Sequence, residues 1–129
     1  MITGFEEFTH DLTEYEKNVL LPLLISGTKN HQGKQDPIIN KDAVIALKSK
    51  GYKITEARFR KLMHVIRVSG MVKGVIATSK GYYVATCRDD YMNYIQSLTE
   101  RIRHISNLRN AITDQFNEKY NLTPAQQDK

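Results

Sequence analysis

The chain has 129 residues, one cysteine and a formal net charge of +5, and 40% of its residues are hydrophobic. This length fits one domain with a modest core. A single cysteine excludes a disulfide framework, and no apolar run approaches the roughly 18 residues that a membrane span needs. The opening residues place acids where a secretory leader carries bases, so the expected setting is the cytoplasm, with no membrane partner.

The charge is uneven. Residues 1–37 hold three bases against six acids, residues 38–87 hold ten bases against Asp42 and Glu56, and residues 88–129 balance six against six. A field concentrated in one block attracts a polyanion better than the same charge spread evenly. The alternative is a solubilising surface.

Residues 1–12 are polar apart from Phe5, Phe8 and Leu12 and read as an N-terminal arm. Thr13 with Glu16 forms a capping-box pattern, and a helix is expected from there to about Ser26, stopped by Gly27 and kinked or shortened by Pro22. Residues 28–37 contain no apolar side chain and read as a loop, with mobility in the free protein expected. Ile38 and Ile39 suggest a very short strand before Asn40, a good N-cap for a second helix with Ala43, Val44 and Leu47 on one face and Gly51 past its end. Thr55 caps a third helix that reaches about Ser69, where Gly70 ends it. Phe59, Leu62, Met63 and Ile66 follow the spacing of a core-facing stripe.

Residues 72–78 and 82–87 are rich in β-branched and aromatic side chains and flank Ser79-Lys80-Gly81, which predicts a hairpin. Gly81 suits a positive φ there. One of Tyr82 and Tyr83 should face the core, and packing is the expected role of both. Asp89 or Asp90 opens a long helix to about Phe116, and residues 118–129 are expected to be a flexible tail. The organisation is therefore an arm (1–12), a domain (13–87), a long helix (88–117) and a tail.

Three helices followed by a two-stranded hairpin, carried mostly by residues 40–86 (NKDAVIALKSKGYKITEARFRKLMHVIRVSGMVKGVIATSKGYYVAT), resemble the winged helix-turn-helix family. The stretch is also similar to small winged-helix proteins encoded by phages and prophages. The resemblance implies a mainly α fold with a small β-hairpin (α+β), a winged helix-turn-helix followed by a long C-terminal helix. It also implies duplex DNA as the partner, the third helix as reader, the hairpin as wing, and a bacterial or phage-infected cytoplasm. This fold also serves as a pure protein-docking module.

The residues themselves fit a DNA reader. With the apolar stripe buried, 100° steps put Ala57, Arg60, Lys61, His64 and Val68 on the opposite face, flanked by Arg58 and Arg67. Thr55 and the free amides at the helix start suit a phosphate. Lys73, Ser79 and Lys80 would contact DNA from the hairpin, and Lys48, Lys50 and Lys53 would flank. A basic outer helix face is ordinarily just a solvated one, and Glu56 would repel phosphate. The concentration of charge beside the hairpin favours nucleic acid.

The last helix carries Tyr91, Ile95, Leu98, Ile102, Ile105 and Ile112 in a 4-3-4-3 seam that Arg109 interrupts before Ile112 and Phe116, which favours a homodimer over packing on its own domain. The competing reading is an interaction module that docks on a replication, transcription or virion assembly through this helix. Catalysis is not expected. His10, His31, His64 and His104 are scattered, no phosphate-binding glycine loop opens a helix, and the acids Glu6, Glu7, Asp11, Glu14 and Glu16 read as a solvated face rather than a metal site. Cys87 is expected to be a small buried hydrophobe. No cofactor and no metal are implied.

Overall fold

The computed structural model describes residues 11–120. Its element order is a π-helical turn Glu16–Leu20, then α1 (Leu21–Lys29), α2 (Asn40–Ser49), α3 (Glu56–Ser69), β1 (Val75–Thr78), β2 (Gly81–Val84) and α4 (Arg88–Lys119). The fold is mainly helical, with a small antiparallel hairpin and a long C-terminal helix. Two units are distinguished, one ending at Tyr91 and one beginning at Met92.

The capping box forms as the sequence predicts. The Thr13 N–H donates to Glu16 Oε1 at 2.8 Å, and the Glu16 N–H donates to Thr13 Oγ1 at 3.1 Å. Pro22 is accommodated by the wide turn before it. The Leu21 N–H reaches back five residues to the Glu16 carbonyl, and proline then stands in the first turn of α1, where a missing N–H costs little.

Gly27 does not stop this helix, which continues to Lys29. The reason lies one residue on. Thr28 is buried, donates its hydroxyl to the Leu24 carbonyl at 2.6 Å and meets Met63 Sδ at 3.8 Å, so burial of the last turn outweighs the helix propensity of glycine. The loop after it is shorter than the sequence suggests and is tied down. The Val84 N–H donates to the His31 carbonyl at 2.8 Å and the Gly33 N–H to the Val84 carbonyl at 2.9 Å.

Ile38 makes the expected extended contact as an isolated bridge to Tyr82, with N–H···O distances of 2.6 and 3.0 Å. Asn40 is the first helical residue of α2 rather than its cap. Ile39 holds the cap position and contributes no side-chain bond. α3 begins and ends where the sequence places it. The Arg58 N–H donates to Thr55 Oγ1, and Gly70 closes the helix in the left-handed region at φ 75°.

The core lies where these elements meet. Phe59, Leu62, Met63 and Ile66 of α3 are fully buried among Leu20, Leu21, Leu24, Val44, Ile54, Val72, Val75 and Val84. At about 25 cal/mol per Å² of apolar surface removed from water, each such large side chain contributes about 1.5–3 kcal/mol. The strands are shorter than predicted, in register Val75↔Val84 to Thr78↔Gly81, and turn on Ser79-Lys80. Gly81 has φ 131°, and a Cβ there would collide with the Ile38 carbonyl, so the bridge as well as the turn requires glycine.

Two expectations about single residues are corrected. Cys87 is exposed, because β2 ends at Val84 and leaves Cys87 beyond the strand. The long helix starts at Arg88 and reaches Lys119, so residues 118 and 119 belong to it and not to the tail. Its start is fastened by Asp90, whose carboxylate accepts from the Thr86 N–H at 3.0 Å; this bond lowers its pKa. The arm up to residue 10 and the tail from residue 121 lie outside the described residues. Among the described residues no helix is long and apolar enough to cross a membrane, and no three His, Cys, Asp or Glu side chains are grouped to hold a metal ion.

Candidate nucleic-acid interface

A cleft of about 360 Å³ lies between the first turns of α2 and α3 and the hairpin tip. Lys41 of α2, Arg60 of α3, and Ser79 and Lys80 of the turn line it, together with the carboxylate of Glu56. The local geometry follows from the sequence. Arg60 is one step past the buried Phe59 and points outward, while Thr78 pins the turn: its hydroxyl donates to the Gly81 carbonyl and accepts the Lys80 N–H, both at 3.1 Å. Asn40 lines the same cleft, and its side-chain oxygen is buried with no hydrogen-bond partner. Three cations against one carboxylate give the recess a positive balance that suits an anion, while the Asn40 oxygen, an acceptor, calls for a donor instead.

On the other side of the tip, Lys80 and Lys34 line a second recess of about 500 Å³ with Pro37, Thr78, Ser79 and Tyr83. Neither Lys34 nor Lys41 stands out in the sequence. Lys34 lies in a polar loop and Lys41 in the first turn of α2, and two bridges, Gln32–Val84 and Ile38–Tyr82, bring these segments to the hairpin.

The other expected contact residues separate into groups. His64 is exposed and Lys61 half-buried on the outer side of α3. Lys73 is exposed in the turn before β1 and does not line the cleft, and Thr55 is occupied as the cap of α3. Arg67 lies with its guanidinium 5.9 Å from the centre of the Tyr82 ring, a cation–π contact that holds it against the hairpin. Tyr82 meets Phe59 edge-on and Tyr83 is buried, so both tyrosines pack, whereas alternation alone turns only one of them to the core.

Arg58 is turned into the fold. Its Nε donates to Glu16 Oε2 and its Nη2 to Glu16 Oε1, each at 2.7 Å, and Nη2 also donates to the Asp11 carbonyl at 2.9 Å. Glu16 is only 5% exposed, so it is not part of a solvated acidic face. The Arg58 guanidinium holds its carboxyl below the ordinary value, against the opposing effect of burial. Ala57, expected on the outer face, is buried in the same first turn of α3.

The seam of the last helix is exposed at Ile95, Leu98, Ile102, Ile105 and Ile112, with Ile105 at 68%. Tyr91 differs from the rest. Its phenol lies against Gly74, where a Cβ would collide with the ring, so part of Tyr91 packs within the first unit.

Compared with protein-family models, with curated proteins and with solved structures, the chain matches none.

Proposed function

We propose that the chain is a non-enzymatic DNA-binding protein with a winged helix-turn-helix. In this reading α2 and α3 form the helix-turn-helix, Ile38 stands for the short first strand, and the hairpin is the wing. The cleft that joins Arg60, Lys41 and Lys80 across three elements is the observation that carries it. Duplex phosphate would run along that cleft, with Arg60, Lys61 and His64 toward the major groove and Lys80 on backbone or minor groove. Arg58 is left out of the DNA-facing residues because its guanidinium is committed to Glu16. The role we propose is that of a phage-type transcription regulator or replication accessory factor, which rests on the resemblance of residues 40–86 to small phage and prophage winged-helix proteins.

Fluorescence anisotropy on a mixed duplex at two salt concentrations tests this. The expected result is salt-sensitive binding that weakens when Arg60→Gln and Lys61→Gln are combined. The salt slope should then fall by about 0.9 for each phosphate that is no longer neutralised. Binding unchanged by that double substitution removes the assignment.

The exposed seam supports pairing of two copies through the last helix, which would present two reading helices to a pseudo-palindromic site. The same seam favours the second reading, a protein-docking module with an incidental basic block. Sedimentation of the free protein separates the two. A concentration-dependent dimer that Ile102→Asp dissociates supports the first, and a monomer without duplex affinity supports the second.

A further inference from the structure

A recess of about 300 Å³ opens on the opposite side of α3 from its basic face, between α1 and α2. Leu23 and Gly27 form one wall, Ala43 and Leu47 the other, and the fully buried Phe59 and Met63 make the floor. His31 and Lys50 stand among the lining residues, which include no carboxylate. His31 is anchored through Nδ1, 2.9 Å from the Asp36 carbonyl and 3.3 Å from its carboxylate. Among the described residues no carboxylate pairs with Lys50.

Gly27 gives this recess a second, independent mark. Its φ is not positive, it does not end its helix, and a Cβ there would meet nothing within 4 Å. Neither backbone geometry nor packing calls for glycine, and a glycine inside a helix is less stable than alanine. The missing side chain keeps one wall of the recess open.

We propose that this recess binds a small monocarboxylate, with its apolar body between Leu23 on one wall and Ala43 and Leu47 on the other, above the sealed floor of Phe59 and Met63, and its carboxylate on Lys50. The volume is at the lower end for ligand sites, and an apolar lining with one or two fixed polar groups is their usual make-up. The floor belongs to the helix whose outer face carries Arg60 and Lys61, so a ligand that shifted α3 would move those side chains. That regulatory consequence rests on the DNA-binding reading, whereas binding of the ligand does not.

The test uses octanoate as probe and octan-1-ol as its uncharged counterpart, read by the NMR signal of the Met63 methyl group in the full chain. Octanoate should shift that signal saturably. Lys50→Gln should weaken octanoate about tenfold while leaving octanol unchanged. Gly27→Leu should abolish binding of both, and Gly27→Ala should preserve it. If Gly27→Leu does not fold, Ala43→Leu closes the recess from the other wall. No saturable shift with octanoate, or an unaltered shift in the plugged variant, overturns the site; an octanoate affinity indifferent to Lys50→Gln overturns the carboxylate assignment. Duplex anisotropy with and without octanoate is a separate reading. A Met63 shift without any duplex affinity leaves the ligand site standing and removes only its regulatory consequence.

Discussion

Both α3 and α4 carry an apolar row at helical spacing, yet the two rows have opposite fates. In α3 the row Phe59, Leu62, Met63 and Ile66 is sealed by α1, α2 and the hairpin, whereas Ile102 and Ile105 of α4 remain 66% and 68% exposed. Periodicity states which side of a helix is apolar, and it is silent on what covers that side. A covered row holds the fold together, while an uncovered row of the same composition is available to another molecule.

This contrast can be broken by substitution. Phe59→Ala should destabilise the protein by about 3–5 kcal/mol, measured by denaturant unfolding, because it leaves a cavity in a sealed core. Ile102→Ala, at protein concentrations where only monomer is present, should cost under about 0.5 kcal/mol. A large loss at Ile102 in the monomer would show that the second row is covered after all.

Arg58 sharpens the contrast, because it lies on a face of α3 that periodicity assigns to solvent. Arg58→Met should cost about 3 kcal/mol by leaving the Glu16 carboxylate without its partner. The pH dependence follows in sign. The folded-state pKa of Glu16 lies below its ordinary 4.5, so its contribution is complete above that value and is lost as the pH falls through the depressed one. In Arg58→Met the acid limb of the unfolding midpoint against pH should flatten.

A smaller effect is expected at the hairpin. Gly81→Ala combines a positive φ with a collision against the Ile38 carbonyl and should cost about 2 kcal/mol, accompanied by faster hydrogen exchange at the Tyr82 amide.

The elements that the sequence reveals well are those built from neighbours in the chain: the Thr13–Glu16 box, the Thr55 cap, the α3 stripe and the hairpin. What it hides depends on contacts across long separations. Arg58 reaches Glu16 over 42 residues, and no helical wheel of α3 contains that partner. Gly27 reads as a stop because the burial of Thr28 against Met63, 35 residues away, is invisible locally. Of the cleft, Arg60, Ser79 and Lys80 are legible, since they protrude from recognisable elements. Lys34 and Lys41 are not, since their proximity to the hairpin depends on the bridges at Gln32 and Ile38.

The bridge at Ile38 has a consequence for any molecule that meets the hairpin. Ile38 clamps Tyr82 through two backbone bonds, and Thr78 locks the turn from within. Lys80 thus projects from a scaffold that is already in place, and capturing a partner requires freezing only the rotors of its own side chain. Such a contact loses little conformational entropy on association, so even a brief encounter with the tip keeps most of its interaction energy.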